Sequence, residues 1–466
     1  MSASAATLSN ISLNALDTAM SMNEMQNSNY VLVVGLGATG LSVVRYLSLR
    51  ANQLMVVDSR MHPPCLEQMK KEYPNVPIYL GAFDESLFTH AEQIVVSPGV
   101  ALQEPALQSA IKQGIEIVGD IELFAQQITS PVIAVTGSNG KSTVVSLLGE
   151  MAKAAGINAV VGGNIGVPIL DAMKDNCDLT ILELSSFQLE SVQSLKPVAA
   201  AALNVSPDHM DRYENYAEYI NTKKHIYKAS DVAIINRDDD KILAMQINQN
   251  KVSGFTLQLP TNNDFGLRKV EDEIWLCQGT KPLIAASSLK ITGTYNLANA
   301  LAALALGNAA NIPMKSMLAG LETFAGLPHR TQWVAEKNNI TWINDSKGTN
   351  VGATLAAISG TQVKNKLVLI AGGMAKNANF MPLKSVICEK ARAVVLIGKD
   401  ASQIEQVLQQ CVSVEYARDM QDAVNKAANI AQPGDTVLLS PACASFDMFE
   451  NYEQRGVAFI KSIGKL

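Results

Sequence analysis

Short runs of apolar, β-branched residues alternate with longer stretches in which apolar residues recur every three or four positions. The first kind of run predicts buried strands, and the second predicts amphipathic helices. Strands that alternate with helices favour parallel sheets covered by helices on both faces, so the sequence predicts an α/β fold. The predicted strands are residues 30–34, 54–57, 94–96, 131–135, 179–183, 199–205, 341–344, 367–371, 394–398 and 436–440.

Two interruptions of this alternation, at residues 119–130 and 324–330, divide the chain into three predicted domains. Residues 250–292 carry short alternating runs instead, which predict a small antiparallel β insertion in the central domain. Residues 1–28 are rich in Ser, Ala, Asn and Met and predict a disordered extension with one short helical segment at 13–22. The predicted domains are a Rossmann-like domain (29–120), a central ATP-binding domain with a mostly parallel sheet (121–326) and a C-terminal Rossmann-like α/β domain (327–466).

Amino-acid composition, net charge and cysteine spacing argue against several classes of protein. The 466 residues are 48% hydrophobic and 17% charged, which is typical of a globular protein with several cores. The net charge of −6 argues against a nucleic-acid-binding protein that depends on a general positive field. No uncharged apolar run reaches membrane-spanning length, and no secretory signal precedes the first domain. Six scattered cysteines without a C-x-x-C spacing predict neither a disulfide framework nor a zinc site, so we expect a reducing cytoplasm.

A phosphate-binding loop is predicted between the strand at 131–135 and the helix that follows. Gly137 and Gly140 allow a tight turn, Lys141 can reach outer phosphates, and Ser142 and Thr143 directly precede a helix-like pattern over residues 144–155. In the general motif the first glycine precedes the lysine by six positions, whereas here it precedes it by four, so the loop is short. The alternative is a plain strand-to-helix turn, which needs glycine but no adjacent Lys-Ser-Thr.

A second glycine-rich turn, with glycines at 35, 37 and 40, lies between the first strand and the first helix. Asp58 ends the next strand and is followed by Ser59 and Arg60, as in a dinucleotide-binding unit. NAD and a nucleotide-sugar diphosphate are both candidate ligands. The structural alternative is a tight crossing of strand and helix with an N-capping aspartate.

Polar side chains also follow other predicted strands. Glu183 ends one strand, His209 lies on the loop after the next, and Lys223 lies on a helix predicted at 219–227. In parallel α/β sheets ligands bind at the carboxyl ends of strands, and a carboxylate there can hold Mg²⁺. A surface histidine and a solvated basic helix face are the alternatives for His209 and Lys223.

The chain resembles the Mur ligase family from about residue 30 to its end. The resemblance rests on residues 136–143, 182–188, 204–213, 327–330, 344–347 and 440–445. It implies an ATP-dependent amide-bond ligase of peptidoglycan precursor synthesis, which adds D-glutamate to UDP-N-acetylmuramoyl-L-alanine through an acyl phosphate. It also implies two Mg²⁺ ions, a carbamate on one lysine, a monomer, and no nucleic-acid or membrane partner.

The resemblance implies a set of site residues. The catalytic residues would be Lys141, Glu183, His209 and Lys223, and the metal ligands Ser142, Glu183, His209 and carbamylated Lys223. ATP would be bound by Gly137, Ser138, Asn139, Gly140, Lys141, Ser142, Thr143, Asn296, Asn299, Arg330 and Asp345. The UDP-linked substrate would be bound by Ala38, Thr39, Asp58, Ser59, Arg60, Gly99 and Asn164. D-glutamate would be bound by Thr349, Lys376, Ser445 and Phe446.

Three other functions are compatible with parts of the sequence. An NAD-dependent oxidoreductase would use the turn at 35–40 and Asp58, but it would leave Lys141 without a role. A P-loop ATPase that drives motion or transport would call for the longer phosphate loop. Another member of the same family would add a different amino acid, although Lys376 and Ser445 favour an acidic one.

Overall fold

A computed structural model describes residues 29–466 except 52, 175, 246, 248–250, 292, 362, 409 and 410. The predictions for residues 1–28 lie outside this range. Contacts within the chain define two compact units. The first comprises residues 29–127 together with Pro168–Asp171 and Ser191–Gln193, and the second comprises the other described residues.

The first unit is built on a five-stranded parallel sheet of order β3-β2-β1-β4-β5. Its apolar strand residues, such as Leu32, Val34 and Ile94, are buried against helices, as the continuous apolar runs predict. The strands are β1 (Val31–Val34), β2 (Leu54–Asp58), β3 (Ile78–Leu80), β4 (Gln93–Val96) and β5 (Glu116–Val118). The helices are α1 (Ala38–Leu47), α2 (Leu66–Glu72), α3 (Glu85–Thr89), α4 (Pro105–Lys112) and α5 (Asp120–Ala125).

The second unit contains two sheets. The larger has the order β14-β13-β12-β11-β10-β9-β6-β8-β7. Its strands are β6 (Val132–Thr136), β7 (Ala159–Gly163), β8 (Leu179–Glu183), β9 (Ala199–Ala202), β10 (Val232–Asn236), β11 (Lys251–Phe255), β12 (Phe265–Val270), β13 (Glu273–Gln278) and β14 (Lys281–Ala285). Its helices are α6 (Lys141–Ala154), α8 (Ser186–Glu190), α9 (Tyr216–Lys224), α10 (Asp240–Leu243), α11 (Thr294–Ala309) and α12 (Met314–Thr323). The short helix α7 (Ile169–Ala172) lies almost entirely in the segment Pro168–Asp171 of the first unit.

The other sheet of the second unit has the order β15-β16-β20-β17-β18-β19 and is parallel except for β15. Its strands are β15 (Gln332–Lys337), β16 (Ile340–Asn344), β17 (Leu367–Gly372), β18 (Ala391–Ile397), β19 (Ser413–Tyr416) and β20 (Thr436–Leu439). Its helices are α13 (Val351–Gly360), α14 (Leu383–Lys390), α15 (Ala401–Leu408), α16 (Met420–Ile430) and α17 (Tyr452–Gly464). The predicted α/β class with mostly parallel sheets is confirmed.

The predicted antiparallel insertion is only partly correct. β12, β13 and β14 form antiparallel pairs, but β11 pairs with β10 in parallel register. β11 is exposed at its start and buried at its end, and a partly exposed parallel strand can share the pattern of an antiparallel one, so the sequence alone does not separate them.

Two helix boundaries also differ from prediction. α6 begins at Lys141 and not at residue 144, which brings Ser142 and Thr143 into its first turn. α9 begins at Tyr216 because the Asn215 side chain accepts a hydrogen bond from the Glu218 amide and caps the helix. A 3-10 turn, His225–Tyr227, replaces the last predicted turn of that helix.

The core of the larger sheet is formed by α6, α11 and α12 packed on the strands. The Ala- and Leu-rich α11 is buried along residues 300–307, so its apolar residues serve packing. Among the residues that the structure describes, none of the helices combines the length and the apolar character needed to cross a membrane.

The prediction that the cysteines form no disulfide is wrong. Cys388, on α14, and Cys411, just before β19, form a disulfide with their Cα atoms 5.3 Å apart. The other cysteines, Cys65, Cys177, Cys277 and Cys443, are free thiols. The partners are 23 positions apart in sequence and meet only because α14 and the β19 edge lie together, which spacing does not reveal.

Candidate active site

The loop between β6 and α6 is shaped to surround an anion. Gly137 and Gly140 have φ values of 147° and 86°, which favour glycine, and a Cβ atom on Gly140 would collide with the Asn299 side chain. The Lys141 ammonium donates to the carbonyls of Gly137 at 2.7 Å and Ser138 at 3.2 Å, so it lies over the loop. Burial lowers the pKa of Lys141, although Glu183 opposes this effect.

Neighbouring segments hold the loop in this conformation. The Asn139 amide donates to the Asn204 side chain at 2.9 Å, and Asn204 donates back to the Asn139 carbonyl at 3.0 Å. The Ser138 hydroxyl donates to the Ser206 carbonyl at 2.9 Å and lies 3.1 Å from the Tyr219 hydroxyl. The loop is therefore preorganised, which favours binding of a phosphate group.

A cavity of about 410 Å³ opens beside this loop. Residues that follow strands of both sheets of the second unit line it, as expected for a site at the carboxyl ends of parallel strands. The predicted residues that line it are Gly137, Ser138, Asn139, Gly140, Lys141, Ser142, Asn164, Glu183, His209, Lys223, Arg330, Thr349, Lys376, Ser445 and Phe446.

Glu183, at the end of β8, is 2% exposed. One carboxylate oxygen accepts a hydrogen bond from the Asn164 side chain at 2.8 Å. The other oxygen has no hydrogen-bond partner among the described residues, although it is buried. A buried carboxylate oxygen without a partner needs a compensating group, and a cation such as Mg²⁺ fits this requirement.

The predicted metal ligands include only a few of the side chains that most often bind metal ions. Within the described part of the chain, no three His, Cys, Asp or Glu side chains form a cluster that could hold a metal ion. The predicted set contains two such residues, Glu183 and His209, together with a serine hydroxyl and a lysine. The residues fit Mg²⁺ when Ser142 and a modified Lys223 supply the remaining oxygen ligands.

His209 lies on the loop between β9 and α9 with a φ of 57°. Its amide donates to the Asp208 carboxylate at 2.9 Å, and its Nε2 atom lies 3.8 Å from that carboxylate. Burial lowers the pKa of the imidazole, although Asp208 opposes this effect. A neutral imidazole that lines the cavity can act as a ligand or a hydrogen-bond acceptor.

Lys223 is 2% exposed, so the alternative of a solvated basic face is wrong for this residue. Its ammonium nitrogen lies 4.6 Å from the centroid of the Tyr219 ring. Burial, followed by the charge of Lys141, lowers the pKa of Lys223 well below its usual value. The buried amine therefore favours its neutral form, which is a nucleophile.

A second cavity, of about 110 Å³, extends from the phosphate loop toward α11 and α13. The predicted ATP-binding residues that line it are Asn139, Gly140, Thr143, Asn296, Asn299, Arg330 and Asp345. Tyr295 and the small residues Ala353, Ala356, Ala357 and Gly360 also line it, as do Asn204, Gly293, Thr331, Lys347 and Gly348. The lining is partly apolar, which suits a nucleoside attached to phosphates in the loop.

Arg330 and Asp345 connect this pocket with the third sheet. The Arg330 guanidinium donates to the Ser142 hydroxyl at 2.5 Å. The Asp345 carboxylate accepts hydrogen bonds from the Thr331 amide at 3.0 Å and the Ser440 hydroxyl at 2.7 Å. Burial raises the pKa of Asp345 to about 6, against these hydrogen bonds, which lower it.

The predicted amino-acid pocket is formed by two adjacent loops. Met374 and Ala444 exchange two backbone hydrogen bonds of 3.0 Å, which bring the Lys376 loop beside the Ser445 loop. Lys376 has a φ of 49°, and Phe446 is 64% exposed while it lines the cavity. Both chain segments thus present polar and aromatic groups to the same space.

In the first unit, the predicted residues lie at the carboxyl ends of neighbouring strands. The Asp58 carboxylate is 2% exposed and accepts hydrogen bonds from the Leu36 amide at 2.7 Å and from Arg60. Burial alone would raise the pKa of Asp58, but the hydrogen bonds from Arg60 and Leu36 lower it. Ala38, Thr39, Ser59, Arg60 and Gly99 follow β1, β2 and β4, whereas Asn164 belongs to the second unit.

Sequence reasoning missed several residues that line the larger cavity. The Lys347 ammonium lies 3.9 Å from the centroid of the Tyr452 ring, and burial, then Arg330, lowers its pKa to about 8. Phe187 and Glu453 also line this space. Lys347 and Phe187 lie inside motifs that the sequence singled out, but Tyr452 starts a helix far along the chain and gave no signal.

Known protein families match this chain. Three family models match the chain in succession. They are described as "Mur ligase MurD-like, N-terminal domain" (residues 29–119), "Mur ligase middle domain" (135–307) and "Mur ligase, glutamate ligase domain" (329–443).

Curated relatives cover nearly the whole chain. The UDP-N-acetylmuramoylalanine--D-glutamate ligase of Nitrosococcus oceani is 50% identical over 93% of this chain and 96% of its own length. The protein of the same name from Pseudomonas putida is 45% identical over 96% of this chain and 100% of its own length. Among solved structures, the UDP-N-acetylmuramate-alanine ligase MurC of Thermotoga maritima superposes with a TM-score of 0.59 at 16% identity, over 94% of this chain and 99% of that one. That likeness concerns the fold alone.

Proposed function

The chain belongs to the Mur ligase family, and we propose on this basis that it joins D-glutamate to UDP-N-acetylmuramoylalanine in an ATP-dependent reaction of peptidoglycan precursor synthesis. Relatives that are 44–50% identical over most of the chain carry the name of this activity. An NAD-dependent oxidoreductase leaves the phosphate loop and Glu183 without a role. A transport ATPase leaves the Lys376 and Ser445 loops without one.

One observation carries the proposal for this chain. The cavity beside the phosphate loop is lined both by Lys141 and Glu183 of the larger sheet and by Lys376 and Ser445 of the other sheet. A ligase needs this convergence, because the terminal phosphate of ATP, the carboxylate to be activated and the incoming amine must meet at one point.

The reaction follows from the poor reactivity of a free carboxylate. A carboxylate oxygen of UDP-N-acetylmuramoylalanine attacks the γ-phosphorus of ATP, and the bond to ADP breaks. The amine of D-glutamate then attacks the acyl carbon, and phosphate leaves with the carboxylate oxygen. Lys141 neutralises charge on the transferred phosphoryl group, and Arg330 contributes a second cation near Ser142.

We propose that Ser142, Glu183, His209 and carbamylated Lys223 hold Mg²⁺, in two sites. When bound, the metal neutralises phosphate charge and aligns the reacting oxygens. The neutral, buried amine of Lys223 can add CO₂ and release one proton, which gives an anionic oxygen ligand where a protonated lysine would repel the metal. The partnerless oxygen of Glu183 supports the same assignment.

The amino acid and the UDP-linked substrate have separate proposed sites. Lys376 would pair with a carboxylate of D-glutamate, with Thr349, Ser445 and Phe446 around it. Arg60 would pair with the diphosphate of the UDP-linked substrate, because its guanidinium is half-exposed although it also bonds Asp58. These substrates and ATP are cytoplasmic metabolites, so we propose a cytoplasmic enzyme, and we propose that it acts as a monomer.

A substrate-omission experiment tests the proposal. Phosphate release should require ATP, UDP-N-acetylmuramoylalanine and D-glutamate together, and L-glutamate, D-aspartate or L-lysine should not replace D-glutamate. ATP hydrolysis of equal rate without either co-substrate would support a transport ATPase instead. Release with another amino acid would identify a different member of the family.

A further inference from the structure

The His209 loop has little regular structure of its own, yet its imidazole lines the cavity in one orientation. Residues 203–215 connect β9 to α9 without a helix or strand, and His209 adopts a left-handed backbone conformation with a φ of 57°. Such a conformation in a non-glycine residue is unfavourable unless the surroundings hold it. Contacts with neighbouring groups must therefore hold the His209 backbone in this conformation.

Phe187 contacts the imidazole directly. The two ring centroids lie 4.7 Å apart at an interplanar angle of 62°, which is an edge-to-face contact. Phe187 lies on α8, four residues after Glu183, which ends β8. The contact therefore joins the segment that carries one proposed metal ligand to the loop that carries another.

Arg212 also contacts Phe187. The guanidinium carbon lies 4.3 Å from the Phe187 centroid, and the Arg212 amide donates to the His209 carbonyl at 3.0 Å. The Glu190 carboxylate accepts from the Arg212 guanidinium at 2.6 Å and from the Tyr213 hydroxyl at 2.7 Å. The Arg212 and Glu190 side chains are only 10% and 11% exposed, so solvent screens this pair little.

We propose that Glu190, Arg212 and Phe187 are positioning residues that hold the imidazole of His209 in the orientation required for binding Mg²⁺. Glu190 fixes the guanidinium, the planar guanidinium fixes the Phe187 ring, and the ring edge fixes the imidazole. Neither Glu190 nor Arg212 acts on substrate in this scheme. The inference rests on the proposed function, because it takes His209 as a metal ligand.

The chain offers a direct readout that does not depend on activity. It contains five histidines, so the ring signals of protein labelled with ¹⁵N-histidine can be resolved, and His209→Gln identifies the signal of His209. Titration with MgCl₂ alone then reports the Mg²⁺ concentration at which the His209 imidazole responds. Arg212→Lys keeps the charge and loses the planar group, while Arg212→Met loses both.

The matched control is Arg392→Met. Arg392 pairs with buried Asp435 through hydrogen bonds of 2.6 and 3.1 Å, in the third sheet. Arg392→Met removes an ion pair similar to that of Arg212 and Glu190. It should lower thermal stability without changing the response of His209 to Mg²⁺. This comparison separates a general loss of stability from a loss of position.

We expect Arg212→Met to raise the Mg²⁺ midpoint of the His209 signal about tenfold, in the range typical of residues that orient metal ligands. Arg212→Lys should give a smaller rise, and Arg392→Met should leave the midpoint unchanged.

A midpoint within twofold of the original in both Arg212 variants, with a normal response in the unmodified protein, would overturn the inference alone. A His209 signal that ignores Mg²⁺ in the unmodified protein would overturn the metal assignment in the proposed function and the inference with it. If Arg212→Met does not fold, Glu190→Gln, which weakens the hold on Arg212, must shift the midpoint in the same direction.

Discussion

The guanidinium of Arg330 donates a hydrogen bond of 2.5 Å to the hydroxyl of Ser142. Arg330 follows the segment that leads into the third sheet, whereas Ser142 is the second residue of α6, immediately after the phosphate loop. The contact brings a cation from one part of the second unit to the loop of the other part that is proposed to bind the phosphates of ATP.

Arg330→Lys tests this contact. Lysine keeps the positive charge but lacks the planar set of N–H donors of arginine. It therefore cannot donate hydrogen bonds to the Ser142 hydroxyl and to a phosphate at the same time. We expect the KM for ATP to rise about tenfold with a smaller change in kcat, in line with about 1.5 kcal/mol for a hydrogen bond to a charged group. Steady-state kinetics with varied ATP checks this. Arg237→Lys, which alters an ion pair with Asp264, is the control, and equal effects of the two substitutions would contradict the prediction.

Lys223→Ala should abolish the ligase reaction and the carbamate together. In protein equilibrated with ¹³C-bicarbonate, we expect one carbamate signal in the carbon NMR spectrum that disappears in Lys223→Ala. Lys224→Ala, at the neighbouring and less buried position, should keep both the signal and the activity. Because the pKa of Lys223 is lowered, the amine becomes protonated only well below its usual range, and carbamate and activity should be lost as pH falls through that point. Full activity of Lys223→Ala would remove the carbamate from the mechanism.

Asp345 should make the ligand-free protein less stable as pH rises. Its pKa is raised from 3.8 to about 6 in the folded state. Between these two pH values, the folded protein therefore keeps a proton that the unfolded chain has already released. The stabilising contribution is complete below the unfolded pKa and is lost as pH rises through about 6. A shift of this size corresponds to about 3 kcal/mol.

Asp345→Asn removes this titration. Between about pH 4 and about pH 7, the free energy of unfolding of the original protein should fall relative to that of the variant by about 3 kcal/mol. Urea unfolding of both proteins at several pH values measures the difference. A difference that stays constant across this range would show that the buried carboxyl is not the titrating group.

The disulfide between Cys388 and Cys411 determines how many free thiols the protein has before and after reduction. Protein unfolded without reductant should expose four thiols, those of Cys65, Cys177, Cys277 and Cys443, and six after reduction. Cys388→Ser opens a loop with a sequence separation of 23 and should lower the unfolding free energy by about 3 kcal/mol, whereas Cys65→Ser should change it little. Thiol titration and thermal unfolding check both parts, and six thiols before reduction would contradict the bond.

Much of the architecture followed from local pattern. The apolar runs located the parallel strands, and Gly137, Gly140 and Lys141 located the phosphate loop, because each depends on neighbouring residues. Glu183 and His209 were singled out because polar residues at the ends of parallel strands meet at one edge. These are features for which periodicity and turn chemistry are sufficient.

The features that sequence analysis missed depend on distances between segments far apart in the chain. Tyr452 meets Lys347 only because α17 begins beside the cavity, and Cys388 meets Cys411 only because α14 lies against the β19 edge. The parallel register of β11 is set by its neighbour β10, which an alternating pattern does not specify. The sequence did not indicate that Lys223 is buried, since its helix is polar overall and most of the cavity wall comes from other segments.

We propose that this chain activates the substrate carboxylate by transferring the γ-phosphoryl group of ATP to it. UDP-N-acetylmuramoylalanine labelled with ¹⁸O in its terminal carboxylate, incubated with ATP and D-glutamate, tests the claim directly by mass spectrometry of the released phosphate. We expect the released phosphate to carry one ¹⁸O atom for each amide bond formed, because the acyl oxygen leaves with phosphorus. Unlabelled phosphate released together with the amide product would contradict it.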